Sequence, residues 1–437
     1  MKNIMEKVMN KAQDAKLDAD LILSTSKSLK MSAQNESISE YKVSSSQILG
    51  IRVIKNGSVG ISYTEALDDD CLNFMLNQSA QNAEISASNP HEKIISGIGE
   101  LFDDAVYPEA ETDIAVKTKK ALELESNVKA QDPRVVAVPH NSYSENEYTS
   151  LYLNSNGRFT SYSDKVYSIT TSALLDDSGK KANFYYYDLA HTFNELDWKK
   201  VVDESLFHAR NILKEKPLPT GKYHVRFSPD SLKSLIECFS NFYSAKSAID
   251  KVNPWSGSLG EQVVSSDISI VDDPLYEYCF RTSKFDSEGV ERKPLTLIEN
   301  GTLKSLLHNS VTANHFKTTS TGHASRGPSS SMNVSGTHFL IQGKNKKPLP
   351  PRYLEVIQTD GLYSGANRVT GTFSVAVKGY LWENGQNIMT FGNITLSGNL
   401  IELLKKVEVV GDQIESSIDQ SFFSVPLIFN DLSIAGT

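Results

Sequence analysis

The residues closest to a chemical signature lie between Ser228 and Asn253, in SPDSLKSLIECFSNFYSAKSAIDKVN, where Glu237 and Asn241 stand four positions apart beside Cys238. Start and stop signals predict one helix here. Ser228 can accept a hydrogen bond from a free N–H of the first turn, Pro229 suits the first helical position, and Asp230 faces the positive end of the dipole. Leu232, Leu235, Ile236, Phe239, Phe242, Tyr243 and Ile249 recur at spacings of three and four, an apolar stripe that must be buried. Glu237 and Asn241 then share the neighbouring stripe and can point into a cleft beside the core. A lone carboxylate in such a cleft has no activated nucleophile to serve, because a bound metal ion is what brings the pKa of water near neutral. The simpler reading of Glu237 is a solvated helix residue or a structural acceptor. Cys238 lies within the helix without an evident base, and no GxSxG elbow occurs, so nucleophilic catalysis finds no support.

Two other places deserve the same question. The closest histidines, His308, His315 and His323, are spaced by seven and eight residues, which suits no compact chelate. The Ser/Gly-rich loop from Ser320 to Ser331 carries Arg326 and can receive an anion or a peptide carboxylate, although it lacks the GxxxxGK[ST] pattern of a phosphate cradle. Its plainer role is a tight turn between strands at Gly322 and Gly327.

At the helix the chain resembles the TldD/PmbA family, in which the TldD type is a metallopeptidase carrying HExxxH. Aligned by the following Gly260-Glu261-Gln262-Val263, that frame falls on Ile236-Glu237-Cys238-Phe239-Ser240-Asn241. Only the acid survives. Isoleucine offers no donor to zinc, which is held by imidazole, thiolate or carboxylate. The C-terminal region in which catalytic relatives place a cysteine, here Ser417 to Pro426, contains no thiol. Further blocks keep the family's order: Gly50, Arg52, Val53, Gly57, Gly60 and Thr64; Asp286 to Gly289; Leu297 to Gly301; Ser320 to Arg326; Ser364 to Gly371; and Thr395 to Leu400.

The resemblance implies the PmbA (TldE) type, a subunit without its own catalytic or metal site and with no cofactor, zinc being expected only in a TldD-type partner. The expected function is that of the non-metal subunit of a TldD/TldE-type metallopeptidase acting on unfolded or flexible peptides, with a homodimer possible in isolation. Alternatives are a stand-alone peptide-binding or scaffold protein, and a self-sufficient hydrolase with an unrecognised site. Candidate ligand contacts are His323 and Arg326 of the loop and Asn367, Arg368 and Thr370 of SGANRVTG.

Composition sets the frame for these sites. A chain of 437 residues with 39% hydrophobic and 22% charged content predicts two or three ordinary globular domains. A net charge of −9 without a basic cluster speaks against direct nucleic-acid binding, so any influence on DNA gyrase, a label some family members carry, would be indirect. Three scattered cysteines fit a reducing compartment. The opening MKNIMEKVMNKAQDAK reads as an amphipathic helix and not a signal peptide, and no run of 18 apolar residues follows, so a cytoplasmic protein without a membrane span is expected.

The elements that must position the sites follow from local signals. Helices are expected at 3–16, 67–83, 109–130, 197–216 (capped by Asp197) and, briefly, 397–405. Strands are expected at 20–26, in the alternating stretch after it, at 135–139 and at 184–192. Hairpins are expected at Asn56-Gly57 (type I′), Asn156-Gly157, Asn300-Gly301 and Asn384-Gly385. Lys216-Pro217-Leu218-Pro219-Thr220-Gly221 is the best linker. The fold class is therefore α+β: an N-terminal domain, 1–216, with an antiparallel sheet and helices, and a mostly antiparallel, barrel-like C-terminal domain, 217–437, that contains the helix.

Overall fold

The computed structural model describes residues 1–105, 107 and 112–436. Its N-terminal half is built on eight strands: β1 (Asp18–Gln34), β2 (Ser37–Lys55), β3 (Ser58–Thr64), β4 (Gly99–Asp104), β5 (Val135–Ala137), β6 (Asn141–Asn154), β7 (Arg158–Asp177) and β8 (Lys180–Ala190). They form one sheet in the order β3-β2-β1-β6-β7, with β4 running parallel to the first part of β7, β8 antiparallel to the rest, and β5 paired to the far end of β7. Helices α1 (Lys2–Asp14) and α2 (Asp69–Ile85) cover one end of the sheet, and α3 (Ile114–Gln131) and α4 (Trp198–Ile212) the other. Residues alternate across a strand, so one face of β1 supplies Ala19, Leu21 and Leu23 to the first cluster and Met31 to the second. The predicted start of α3 at 109–111 lies outside the described residues, and the observed helix begins at Ile114, capped by Asp113.

One expectation for this half changes. Residues 18–34 form a single 17-residue strand, where a short strand and an unassigned alternating stretch were expected. It turns back at Asn35-Glu36, both with positive φ (54° and 60°). A glutamate is unusual there, and α3 holds it in place: the N–H groups of Asn35 and Glu36 donate to the buried Glu125 carboxylate at 3.0 and 3.2 Å. By contrast, Asn56-Gly57 makes the expected type I′ turn, with φ of 54° and 80°, and the Asp197 side chain caps α4.

In the C-terminal half, strands Gly221–Phe227, Arg352–Asp360, Thr372–Glu383, Gln386–Asn399 and Leu427–Ala435 close into a five-stranded barrel. All its pairings are antiparallel except that of Gly221–Phe227 with Arg352–Asp360. A second sheet, which includes Ile268–Asp272, Leu295–Glu299 and Phe339–Gly343, packs into the same core. The architecture is thus the expected α+β arrangement with a barrel. The proline-containing stretch before the first barrel strand is docked: Leu218 is fully buried, and Lys216 donates its N–H to Thr390 at 2.9 Å. Among the described residues no helix is long and apolar enough to cross a membrane.

The halves meet through a buried ion network. Arg52 donates from Nε and Nη2 to Asp20 at 2.9 and 2.6 Å, lies 3.3 Å from Glu92, and reaches Glu288 of the C-terminal half at 3.5 Å. Arg326 comes from the other side to bind the second oxygen of Asp20. Glu288 also accepts from the N–H and hydroxyl of Ser310, at 2.9 and 2.5 Å. Beside the network, a β-carbon at Gly50 would stand 1.8 Å from the carbonyl of Pro328, so only glycine lets the 320–331 loop lie on the sheet.

Removing one partner from a buried charge cluster strands the others. Arg52→Leu should therefore destabilise the chain by about 3–5 kcal/mol, read as a drop in the urea midpoint; a change under about 1 kcal/mol would contradict a central role. Burial pushes the Glu288 carboxyl up to about 7 against the pull of Arg52, with Asp286 adding to the rise. The folded chain then keeps a proton that the unfolded chain releases near pH 4.5, so this group's contribution to stability falls as pH rises between the two values. Relative to the parent, the urea midpoint of Glu288→Gln should therefore rise between about pH 5 and about pH 7.

Candidate functional site

The helix that carries Glu237 is shorter than its sequence suggests. α5 (Pro229–Cys238) starts as expected, with the Ser228 hydroxyl accepting from the N–H of Ser231 at 3.3 Å. It stops at Cys238, gives way to a tight turn of helix at Ser240–Phe242, and resumes only as α6 (Ala245–Ile249). One continuous helix from 228 to 253 is therefore not what forms. The backbone has another partner: Leu307 donates to the carbonyl of Tyr243 at 2.8 Å and accepts from the N–H of Ala245 at 3.1 Å. Ser240, Asn241 and Ser244 are residues that favour caps and turns over helix interiors, and Ser244 caps α6. The apolar stripe is buried as expected from Leu232 to Tyr243, while Ile249 is only half-buried.

This geometry decides what each position of the degenerate frame can do. Ile236 is 1% exposed and belongs to the barrel core. Asn241 donates its amide to the carbonyls of Val252 at 2.7 Å and Arg368 at 2.9 Å, tying two loops together. The Cys238 thiol is buried and donates to the carbonyl of Leu362 at 3.7 Å, which leaves it without a base. No group of three or more His, Cys, Asp and Glu side chains could hold a metal ion among the described residues. The donor set does not fit catalytic zinc, which needs three protein ligands around an open position.

Glu237 faces the other way and does not share a cleft with Asn241. Its side chain, 57% exposed, stands 3.7 Å from Lys233, which also pairs with Asp419. It opens on a cleft of about 420 Å³ between the two halves, walled by Tyr185, Tyr186 and Tyr187 of β8, His208 of α4, and Asp230, Lys233 and Glu237 of α5. Burial raises the carboxyls of Asp230 and Glu237 above the usual range, with Asp419 adding to both and Lys233 opposing. Burial likewise depresses His208 to about 4, which keeps it neutral, and its Nδ1 lies 2.7 Å from the hydroxyl of Tyr380. The aromatic wall escaped the sequence reading, in which 184–192 registers only as a strand; the run Phe184-Tyr185-Tyr186-Tyr187 was its one visible signal.

The other candidate residues fall in two places. His323 is fully buried, with Nδ1 2.9 Å from the Thr321 hydroxyl and Nε2 3.4 Å from Asp272, so its surroundings are those of a structural histidine. Arg326, nearby, joins the ion network. Asn367, Arg368 and Thr370 form an exposed turn elsewhere. The Asn367 side chain accepts from the N–H groups of Val369 and Thr370 at 3.0 and 3.1 Å, and Arg368 lies over the ring of Tyr363.

Comparison with known proteins agrees with this build. Residues 19–83, 107–213 and 220–436 match, in turn, domain 1, the central domain and the C-terminal domain of the PmbA/TldA metallopeptidases. The chain is 26% identical to a metalloprotease PmbA homolog of Haemophilus influenzae, covering 92% of this chain and 89% of that one. It is 22% identical to metalloprotease PmbA of Escherichia coli O157:H7, covering 96% and 92%. Among solved structures it resembles a putative modulator of DNA gyrase from Thermotoga maritima, at TM-score 0.83, 23% identity and 99% and 100% coverage. TldE from Thermococcus kodakarensis gives TM-score 0.82 and 19% identity, at 99% and 100% coverage. Sheet, barrel and junction helix thus define a chain of metallopeptidase architecture. It belongs to the PmbA/TldD family and is of the PmbA/TldE type.

Replacing Ile236 by histidine puts a ring that needs a partner into a filled core, and should cost about 2–5 kcal/mol of stability. The double variant Ile236→His, Asn241→His, supplied with zinc, should show no peptide cleavage above the parent. Chelator-sensitive turnover by that variant would mean that two imidazoles were all the site lacked.

Proposed function

We propose that this chain is the metal-free subunit of a TldD/TldE-type metallopeptidase, pairing with a TldD-type chain that carries the zinc, and that the pair matures or degrades unfolded or flexible peptides in the cytoplasm. The observation that carries this reading is the divided state of the frame. Glu237 still faces an open cleft, while Ile236 lies in the core and the Asn241 amide is tied to two carbonyls. Such a chain keeps a peptide-facing surface without the groups that activate water.

The cleft supports peptide capture. Among the described residues β8 pairs only with β7, so its outer edge offers free main-chain groups beside the tyrosines. An extended peptide can add to such an edge through its backbone, with little dependence on sequence, while aromatic faces take its apolar side chains. Three free cysteines suit the reducing cytoplasm, and the net charge of −9 disfavours nucleic acid as a direct partner.

Elemental analysis of the purified chain should find well under one zinc per molecule. Light scattering with a TldD-type chain added should reveal a larger complex, since stable interfaces bury about 1,200–2,000 Å² or more; alone, the chain forms a homodimer only if the same surface is self-complementary. One tightly held zinc per chain, lost in Glu237→Gln, would contradict the reading, as would a strict monomer in the presence of the partner.

A further inference from the structure

A second cleft, which shares no lining residue with the tyrosine cleft, lies where β7 meets the C-terminal half. It has a volume of about 450 Å³, and its walls carry Arg281, Arg292 and Arg326 with Ser283, Ser287 and His338, and no carboxylate among the described residues. The three guanidinium groups are unequally balanced. Arg281 is matched by Asp103 at 3.2 Å and by Asp164 at 3.8 Å. Arg326 must share Asp20 with Arg52. Arg292 donates to neutral oxygens, the carbonyl of Gly322 at 2.8 Å and the hydroxyl of Ser283.

Shielded polar atoms that lack a hydrogen bond gather in the same walls. Nε and Nη1 of Arg326, Oγ of Ser287 and Nδ1 of His338 are all shielded from solvent and make no hydrogen bond among the described residues, and Nε of Arg281, likewise shielded, has only Asp164 at 3.8 Å. Arg326 as a whole is 7% exposed. Buried donors in folded proteins are nearly always satisfied, and leaving one without an acceptor is unfavourable. A guanidinium fork presents paired N–H groups in the geometry that carboxylate and phosphate oxygens accept. Serine and neutral histidine can complete such a shell.

We propose that this cleft binds an oxyanion, supplied either as the terminal carboxylate of a peptide or as a free inorganic ion. The peptide source rests on the function proposed above; the inorganic source does not.

The test is titration calorimetry on the full chain at fixed ionic strength, with three probes: inorganic phosphate, an acetylated tripeptide with a free carboxyl end, and the same tripeptide as its amide. Saturable binding is expected for phosphate, for the free acid, or for both. It should weaken about tenfold in Arg292→Gln, which removes a charged donor. Ser287→Ala removes a hydroxyl that makes no hydrogen bond among the described residues. That variant should fold as the parent does and still bind the anion several-fold more weakly, which keeps the test sound if Arg292→Gln proves unstable. Binding of the acid but not the amide identifies a peptide end as the source. Binding of phosphate alone identifies a free ion, supporting the site while counting against its use by peptides. No saturable binding of any probe, or affinities unchanged in both variants, overturns the proposal.

Discussion

Two guanidinium groups, Arg52 and Arg326, converge on opposite oxygens of one carboxylate, Asp20, out of reach of solvent. Asp20 and Arg52 belong to the N-terminal sheet and Arg326 to a loop of the C-terminal half. Charges removed from water are tolerated only when their geometry is satisfied, so this cluster fixes how the two halves sit on each other. Gly50 acts with it, because the sheet can approach Pro328 only where no side chain intervenes. Both clefts lie along the junction so defined. One opens between β8, α4 and α5, the other between β7 and the loops that carry Arg281, Arg292 and Arg326. The first takes its walls from both halves, while the second takes Tyr162 from β7 and the rest from the C-terminal half.

The region around α5 shows how a metal-binding frame can be absent without the fold suffering. A ligand position on a helix must have its side chain free and pointed at the ion. Here the barrel core claims Ile236 and the loops claim Asn241. Each residue adds to local stability by a contact that would be lost if it served a metal, packing in one case and two hydrogen bonds in the other. Glu237 escapes because it stands on the solvent side of the stripe, where nothing in the core competes for it.

Features written locally were legible in the sequence. Asn56-Gly57, Asn300-Gly301 and Asn384-Gly385 all take positive φ at both positions and reverse their strands. Asp197 and Ser228 cap the helices they precede. What stayed hidden depends on partners far along the chain. The turn at Asn35-Glu36 needs the carboxylate of Glu125, about ninety residues away. The break after Cys238 needs the backbone of Leu307. Barrel closure needs Arg352–Asp360 to pair with both Gly221–Phe227 and Thr372–Glu383, and no periodicity within a strand encodes that choice. The candidate site was half legible for the same reason: Glu237 could be placed on the exposed side of a stripe, but not opposite the tyrosines of β8.

The two clefts differ in the chemistry they present, and the difference follows from which elements wall them. Strands and helices wall the first, which places Tyr185, Tyr186 and Tyr187 around a strand edge that is unpaired among the described residues. Such a surface suits a partner with a repeating backbone and varied side chains. Loops wall the second, and loops can bring several cations to one point, as no single strand or helix face does. That convergence suits a small charged group rather than a length of chain. The barrel and sheet thus provide one cleft with a tyrosine wall and one with converging guanidinium groups, and the ion network at Asp20 sets the relation between the halves on which both depend.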